Sequence, residues 1–169
     1  MRGLLKLAAA IDRLNAAIGR SMIWAVLASV LLAAASALLR KLFHLYASSW
    51  TEMQWYLFGA VFLFSAAHML QIDEHVRVDV LAQRWSARTR ALIDLAALAA
   101  VALPISLIMV HLGAAHAWSA WRHGEHSYMA DGLIIWPVRA LVPIGFGLFA
   151  LQVVAEIIRR ADRLRRLRP

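Results

Sequence analysis

The stretch Ser21-Met-Ile-Trp-Ala-Val-Leu-Ala-Ser-Val-Leu-Leu-Ala-Ala-Ala-Ser-Ala-Leu-Leu39 contains no charged residue and is followed directly by Arg40 and Lys41. A helix needs about 20 mostly apolar residues to cross about 30 Å of hydrocarbon, because it rises about 1.5 Å per residue. The range 21–39 is close to that length and ends at two basic residues. It therefore predicts a transmembrane helix.

Further apolar runs of similar character follow along the chain. Pro104 in one of them is compatible with a span, because neighbouring helices can satisfy the backbone groups that a proline frees. Hydrophobic residues make up 62% of the chain and charged residues 17%, more apolar surface than one small soluble core could cover. We expect an all-α integral membrane protein with a single membrane domain over residues 1–169. Its spans are predicted at about 21–39, 55–70, 95–120 and 133–155, between an N-terminal segment (1–20) and a basic tail (156–169).

The basic residues are distributed unevenly among the connections. Most lie in the N-terminal segment, in the connection between the second and third spans, and in the C-terminal tail. Lys and Arg are enriched on the cytoplasmic side of membranes, which places these three regions, and both termini, in the cytoplasm. This placement also explains the net charge of +8 without a nucleic-acid partner, since such charges contact lipid head groups. The opposite side receives only Arg40, Lys41, Arg122 and Arg139.

Two segments outside the spans have the periodicity of amphipathic interfacial helices. In the N-terminal segment, Lys6, Arg13 and Asn15 are expected away from the apolar face. After Asp79, a candidate N-cap, a shorter stripe leads into the third span, although an ordinary connecting loop with some buried side chains is an alternative. The first stripe comprises Leu4, Leu7, Ala8, Ile11, Leu14 and Ile18; the second comprises Leu81, Ala82, Trp85 and Leu92.

A cleaved signal peptide is an alternative for the N-terminus, because Ala35-Ser36-Ala37 resembles a cleavage site. The apolar run exceeds the usual core of about 7–15 residues, so we expect the first span to be retained. Alanine and serine also recur every four residues along this span. Such small residues allow a second helix to approach closely, within the chain or in a partner, although a chance pattern is plausible in an Ala-rich chain. They are Ala25, Ser29, Ala33 and Ala37.

Histidines raise the question of a metal or a haem. The chain has seven histidines and no cysteine, which excludes disulfides and thiolate ligands. His75 and Asp79 would share a helix face, but the histidines are scattered over loops and span ends without the spacing of a metal site. A haem between His68 and either His111 or His116 is the sharper alternative, although these residues lie at different depths.

The positions of the carboxylates and of Arg139 indicate whether the chain could transport a solute by itself. Acidic residues inside spans mark proton-coupled exporters, but no Asp or Glu lies deep in any predicted span. Arg139 lies inside the fourth span and is expected either to extend to the outer interface or to pair with Glu125, Asp131 or a partner protein. The acidic residues at span ends, where we expect water or head groups to solvate them, are Glu52, Asp73, Asp94 and Glu156.

Several short motifs resemble one family. The chain is similar to the small membrane (Q-type) subunit of the tripartite ATP-independent periplasmic (TRAP) transporters, and its most specific motif is His75-Val-Arg-Val-Asp79 after the second span. Asp73-Glu74 and Gln54 depart from the usual family pattern, which affects subgroup and substrate. The other matching features are Trp50-Thr-Glu52, Tyr56, Gly59, Glu125-His-Ser127, Trp136-Pro137, Arg139 and Pro143-Ile-Gly145.

The resemblance implies a transport role without catalysis, cofactor or metal. In this family the small subunit is a scaffold for a large permease that moves substrate and sodium, while a periplasmic binding protein delivers an organic acid or similar carboxylate. It implies a location in the inner (cytoplasmic) membrane of a bacterial or archaeal cell. The alternative functions are a haem-bearing anchor of a redox enzyme and, less favoured, an independent exporter. Three residues of the most specific motif, His75, Arg77 and Asp79, are expected to fix the loop after the second span through hydrogen bonds and ion pairs. The implied structural or partner-contacting residues are Trp50, Glu52, Tyr56, His75, Arg77, Asp79, Glu125, Ser127, Trp136 and Arg139.

Overall fold

Long helices form almost all of the described structure. The computed structural model describes residues 2–44, 48–72, 86–129 and 132–166, and these contain no β-strand beyond one isolated bridge between His126 and Ile134. Four helical runs in this part of the chain are long and apolar enough to cross a membrane, which confirms the all-α, four-span prediction. The elements are α1 (Arg2–Phe43), α2 (Ser48–Gln71), α3 (Ala87–Ala97), a π-helical turn (Leu98–Ala102), α4 (Leu103–His123) and α5 (Trp136–Arg166).

The N-terminal segment and the first span form one helix. α1 contains 42 residues and is therefore about 63 Å long, roughly twice the hydrocarbon thickness. Its first half packs through Ala8, Ile11 and Asn15, all buried, whereas much of the predicted apolar stripe is exposed. The prediction that Asn15 turns away from the apolar face was wrong, because it is buried on the same side as Ala8 and Ile11 and its amide donates a hydrogen bond to Gln152 of α5.

The third span contains a change of helix type next to its proline. Pro104 lies at the start of α4, directly after the π-helical turn Leu98–Ala102. A proline lacks a backbone N–H and its ring clashes with the carbonyl four residues earlier, so a regular α-helix is unfavourable there. The wider π turn relieves this conflict. α3, the π turn and α4 thus form one continuous candidate span, Arg88–His123.

α5 is the central helix of the bundle. It packs against α1, α2, α3, the π turn and α4, while α1 packs along α2. One small core joins Ala8 and Ile11 of α1 to Ala155 of α5. A second joins Leu70, Leu98 and Val153 of three different elements. Because these cores are small and many large apolar side chains face outward, most of the apolar surface is left for lipid or a partner.

The small-residue ridge of α1 is only partly covered. Ala25 and Ser29 are half-buried, whereas Ala33 and Ala37 are exposed. Further along α1, the Ser36 hydroxyl accepts a hydrogen bond of 3.3 Å from the Gln54 side chain of α2. The predicted ridge therefore packs internally along only part of its length.

Gly145 permits the close approach of α5 to α2. A Cβ at this position would lie 2.7 Å from Leu63 Cβ and 3.3 Å from the Leu63 backbone. We expect Gly145→Ala to lower the thermal unfolding midpoint, with a cost of about 1–3 kcal/mol, because Leu63 cannot move without shifting its helix. Thermal unfolding in detergent, followed by circular dichroism, measures this effect.

Gly147 supplies a matched control in the same helix. A Cβ there would meet no atom within 4 Å. Gly147→Ala should leave the midpoint unchanged or raise it, because alanine favours a helix over glycine by up to about 1 kcal/mol. Equal midpoints for the two variants would show that the α2–α5 contact does not depend on Gly145.

Candidate functional site

The first of two buried polar clusters lies at the beginning of α2. Glu52 sits one turn into this helix and is only 3% exposed. Its Oε1 accepts a hydrogen bond from the Ser127 hydroxyl, and its Oε2 accepts one of 2.9 Å from the backbone N–H of Leu133. One carboxylate therefore holds both sides of the connection between α4 and α5. We call Glu52, Ser127, Leu133, Glu125 and Arg139 the Glu52 cluster.

The α4–α5 connection also has backbone structure of its own. α4 is capped by Gly124, whose left-handed φ of 58° suits glycine and whose N–H donates to the carbonyls of Ala120 and Trp121. The chain then pairs with itself, since Ser127 N–H donates to Leu133 O and Ile135 N–H donates to Glu125 O, each at 3.0 Å. These bonds form a narrow hairpin-like loop whose two sides Glu52 bridges.

Arg139 attaches the same loop to α5. Its guanidinium lies 2.8 Å from the Glu125 carboxylate, and each side chain is about one-third exposed. Of the expected alternatives, the structure shows pairing with Glu125; Asp131 lies outside the described residues. A pair this exposed contributes about 0–1 kcal/mol, so its main role is to orient the loop.

Glu52 corrects one expectation from the sequence. We expected water or head groups to solvate this carboxylate, but it is buried and bonded to the loop. The sequence motifs nevertheless contained both halves of each contact, Glu52 with Ser127 and Glu125 with Arg139. What sequence reasoning missed was the pairing between the motifs.

The remaining candidate residues are more dispersed. Trp50 and Trp136 are exposed, and Tyr56 lies half-buried one turn after Glu52. Trp136 lines an open apolar groove of about 380 Å³ between α4 and α5. The predicted residues His75, Arg77 and Asp79 lie outside the described residues. The groove is lined by Ala114, Ala117, Trp118, Trp121, Trp136 and Pro143, and the rings of Trp118 and Trp121 are 4.9 Å apart.

The second cluster joins α1 to the middle and second half of α5. Gln152 is fully buried and Asn15 is 1% exposed. The Asn15 amide donates a 2.7 Å hydrogen bond to Gln152 Oε1 and lies 3.4 Å from Leu148 O. Gln152 in turn donates from Nε2 to Asp12 Oδ1 at 2.9 Å. Two buried amides thus connect two helices that are distant in sequence.

Charged side chains continue this network toward the end of α5. The Arg159 guanidinium donates to both Asp12 and Glu156. Arg160 lies 3.7 Å from Glu156 and 3.7 Å from Asp94 of α3. Glu156 is 8% exposed, so the expectation that it is solvated at a span end was wrong. We call Asp12, Asn15, Gln152, Glu156 and Arg159 the Gln152 cluster.

Sequence reasoning did not find the Gln152 cluster. Its signal was an isolated amide in each of two apolar patterns, Asn15 in the N-terminal stripe and Gln152 in the fourth span. Buried amides need partners, so each one predicts a polar contact. Neither one identifies the contact, because the partner lies on another helix.

The geometry of the two clusters is suited to cross-linking helices. Their carboxylates, amides and guanidinium groups bond mainly to each other. In the part of the chain that the structure describes, no three His, Asp or Glu side chains group as metal ligands. His68 packs against Gly19 and lies 3.1 Å from Gln71 Oε1, while His111 and His116 are exposed on α4. Because His68 packs against α1 whereas His111 and His116 are exposed on α4, these histidines do not form a facing pair within the described residues.

Comparison with known proteins identifies the family. The family model described as "Tripartite ATP-independent periplasmic transporters, DctQ component" matches residues 29–163, well over half of the chain. A search of curated proteins found no match. The matched range includes the whole Glu52 cluster and the α5 half of the Gln152 cluster, whereas Asp12 and Asn15 precede it. This four-span membrane protein therefore belongs to the DctQ family, the small permease subunits of TRAP transporters.

Proposed function

We propose that the chain is a scaffold that holds the large permease subunit at a constant depth and orientation during sodium-coupled uptake. The solute would be an organic acid or a similar carboxylate compound, delivered by a periplasmic binding protein. Both termini would face the cytoplasm, and the membrane would be the inner membrane. Family membership supports the transporter assignment, and the distribution of Lys and Arg supports the orientation.

The observation that carries the scaffold proposal is that polar contacts hold α5 both at its start and along its second half. Arg139, near the start, pairs with Glu125, and Gln152 and Arg159 bond to α1. Because the Asn15–Gln152 contact is buried and costly to separate, it opposes sliding of α5 within the bundle, whereas the partly exposed Arg139–Glu125 pair mainly orients the loop. A bundle restrained in this way is suited to remain fixed while a partner moves.

The exposed apolar surface supports a partner role. The apolar window of α1 has no buried residue, and α2 exposes Phe58 and Phe62. Exposed apolar residues in a membrane protein face lipid or another protein chain, and small residues such as Ala33 and Ala37 permit close helix packing. We infer that one of these faces contacts the large subunit, together with the aromatic residues Trp50 and Trp136.

Reconstitution of the transporter tests the proposed function. The small subunit alone, the large subunit alone and the two together are placed in liposomes with the binding protein outside. Uptake is measured with and without an inward sodium gradient. We expect uptake only from the pair and only with the gradient. Uptake by the large subunit alone at the full rate would contradict the scaffold role, and uptake by the small subunit alone would make it a transporter.

The absence of cysteine from the chain allows the contact face to be mapped. Single cysteines at Ala33, Phe58 and Trp136 place one cross-linking site on each of α1, α2 and α5. We expect at least one position to cross-link to the large subunit in membranes. If none of the three does so while the complex still co-purifies, the partner face lies elsewhere on the bundle.

A further inference from the structure

The first half of α1 has an exposed face that carries a line of basic side chains and, beside it, a line of apolar side chains. Lys6, Arg13 and Arg20 are all exposed and are spaced seven residues apart. Seven residues are close to two helical turns, so these side chains follow one line with a spacing of about 10.5 Å. Leu7 and Leu14 each follow one of these basic residues and are 52% and 47% exposed. A basic line therefore runs beside an apolar line.

This exposed face is separate from the face that packs on α5. Ala8, Ile11 and Asn15 are buried on the packed side. Asp12 is the acidic residue of α1, and its carboxylate is bonded to Gln152 and Arg159. The positive charge of the exposed face is therefore not balanced by an acidic residue of its own helix.

Packing places this face near the edge of the hydrocarbon. α1 is about 63 Å long, roughly twice the hydrocarbon thickness, so its first half extends past the uncharged stretch 21–39. Ala8 and Ile11 pack on Ala155 and Asn15 bonds to Gln152, so this half lies beside the end of the predicted fourth span, 133–155. Exposed leucines are unfavourable in water, so a position against the lipid head groups satisfies both the leucines and the basic residues.

We propose that the face formed by Lys6, Leu7, Arg13, Leu14 and Arg20 binds anionic phospholipids. The basic side chains contact the lipid phosphates, and the leucines enter the boundary between head groups and acyl chains. Charge complementarity selects this occupant. A second copy of the chain would present the same positive line and be repelled, whereas a zwitterionic lipid offers no net negative charge.

A fluorescence titration of the whole chain tests the proposal. A single cysteine at Ala10, exposed between the two lines, carries an environment-sensitive fluorophore, and Tyr128→Cys provides a label on the exposed α4–α5 loop, away from this face. The detergent-solubilised chain is titrated with phosphatidylglycerol and, separately, with phosphatidylcholine. We expect a saturable blue shift at position 10 with phosphatidylglycerol at a lipid concentration at least about 10-fold lower than with phosphatidylcholine. The label at position 128 should change less, and added salt should weaken the response at position 10.

Charge-matched variants assign the response to this face. Lys6→Gln, Arg13→Gln and Arg20→Gln combined should weaken the phosphatidylglycerol response at least about 10-fold, since each basic residue near an anionic surface contributes about a factor of five. Arg40→Gln, Lys41→Gln and Arg122→Gln remove the same charge from exposed positions elsewhere and should leave it unchanged.

Three results would overturn the proposal. The first is an equal response to both lipids, and the second is an equal loss in both triple variants. The third is a shift that depends on protein concentration without added lipid, which would assign the face to a second copy. The test uses the chain without its transport partner, so it can fail while the proposed transport function holds.

Discussion

Replacement of Glu52 by alanine is expected to release the α4–α5 loop and to destabilise the chain by about 2–4 kcal/mol. The substitution leaves the Ser127 hydroxyl and the Leu133 N–H without their acceptor, and each unmade buried hydrogen bond costs about 1–3 kcal/mol. Hydrogen exchange of the peptides covering residues 124–135 should accelerate. The midpoint of thermal unfolding should fall in the same variant.

Two further variants test whether the Glu52 carboxylate itself, rather than its position in the helix, holds the loop. Glu52→Gln retains one carbonyl oxygen as an acceptor, so it should lose about half as much stability as the alanine variant. Met53→Ala changes the next residue of the same helix, which is exposed, and should leave exchange in the loop unchanged. Exchange that is equally fast in the Met53 and Glu52 alanine variants would rule out the carboxylate as the group that holds the loop.

Replacement of Gln152 by leucine, in the middle of α5, should have a comparable effect on stability. The side chain is fully buried, accepts from Asn15 and donates to Asp12, so leucine of similar size removes both bonds while keeping the packing volume. We expect a loss of about 2–4 kcal/mol from the unpaired groups that remain. Equilibrium unfolding in mixed micelles measures this loss.

A double-mutant cycle measures the interaction energy between Asn15 and Gln152. When both partners are apolar, fewer polar groups remain unpaired, so Asn15→Leu with Gln152→Leu should be less destabilising than the sum of the single variants. We expect a coupling energy of about 0.5–3 kcal/mol. Leu151→Ala, at the exposed neighbouring position, provides the control for a change on the surface of α5. Strictly additive effects of the two leucine substitutions would be inconsistent with the Asn15–Gln152 contact.

The four spans were predictable because each one depends on a local property. Apolar length and the absence of charge, as in 21–39, are sufficient to indicate a span whatever the other helices do. Helix ends were less predictable. The N-terminal segment and the first span form one helix because nothing in residues 2–43 breaks it, whereas the sequence pattern divided them by hydropathy alone.

The contacts within the two polar clusters could not be predicted from local sequence, because they join residues far apart in the chain. Asn15 pairs with Gln152 across 137 positions of the chain, and Glu52 pairs with Leu133 across 81. The motifs included Glu52, Ser127, Glu125 and Arg139, but not which of them are in contact. Asn15 was assigned to the wrong face because of its polarity, although its four-residue spacing from Ile11 places both on one side of α1.

The membrane class, the number of spans and the resemblance to the TRAP small subunits were predictable from composition, run length and short motifs. The contacts by which Glu52 bridges the α4–α5 loop, and by which two amides and an arginine fasten α1 to α5, became evident only in the folded bundle. Hydrophobic burial in lipid is non-directional and adds up along the chain. Hydrogen bonds and ion pairs are directional and depend on how each helix is rotated and packed.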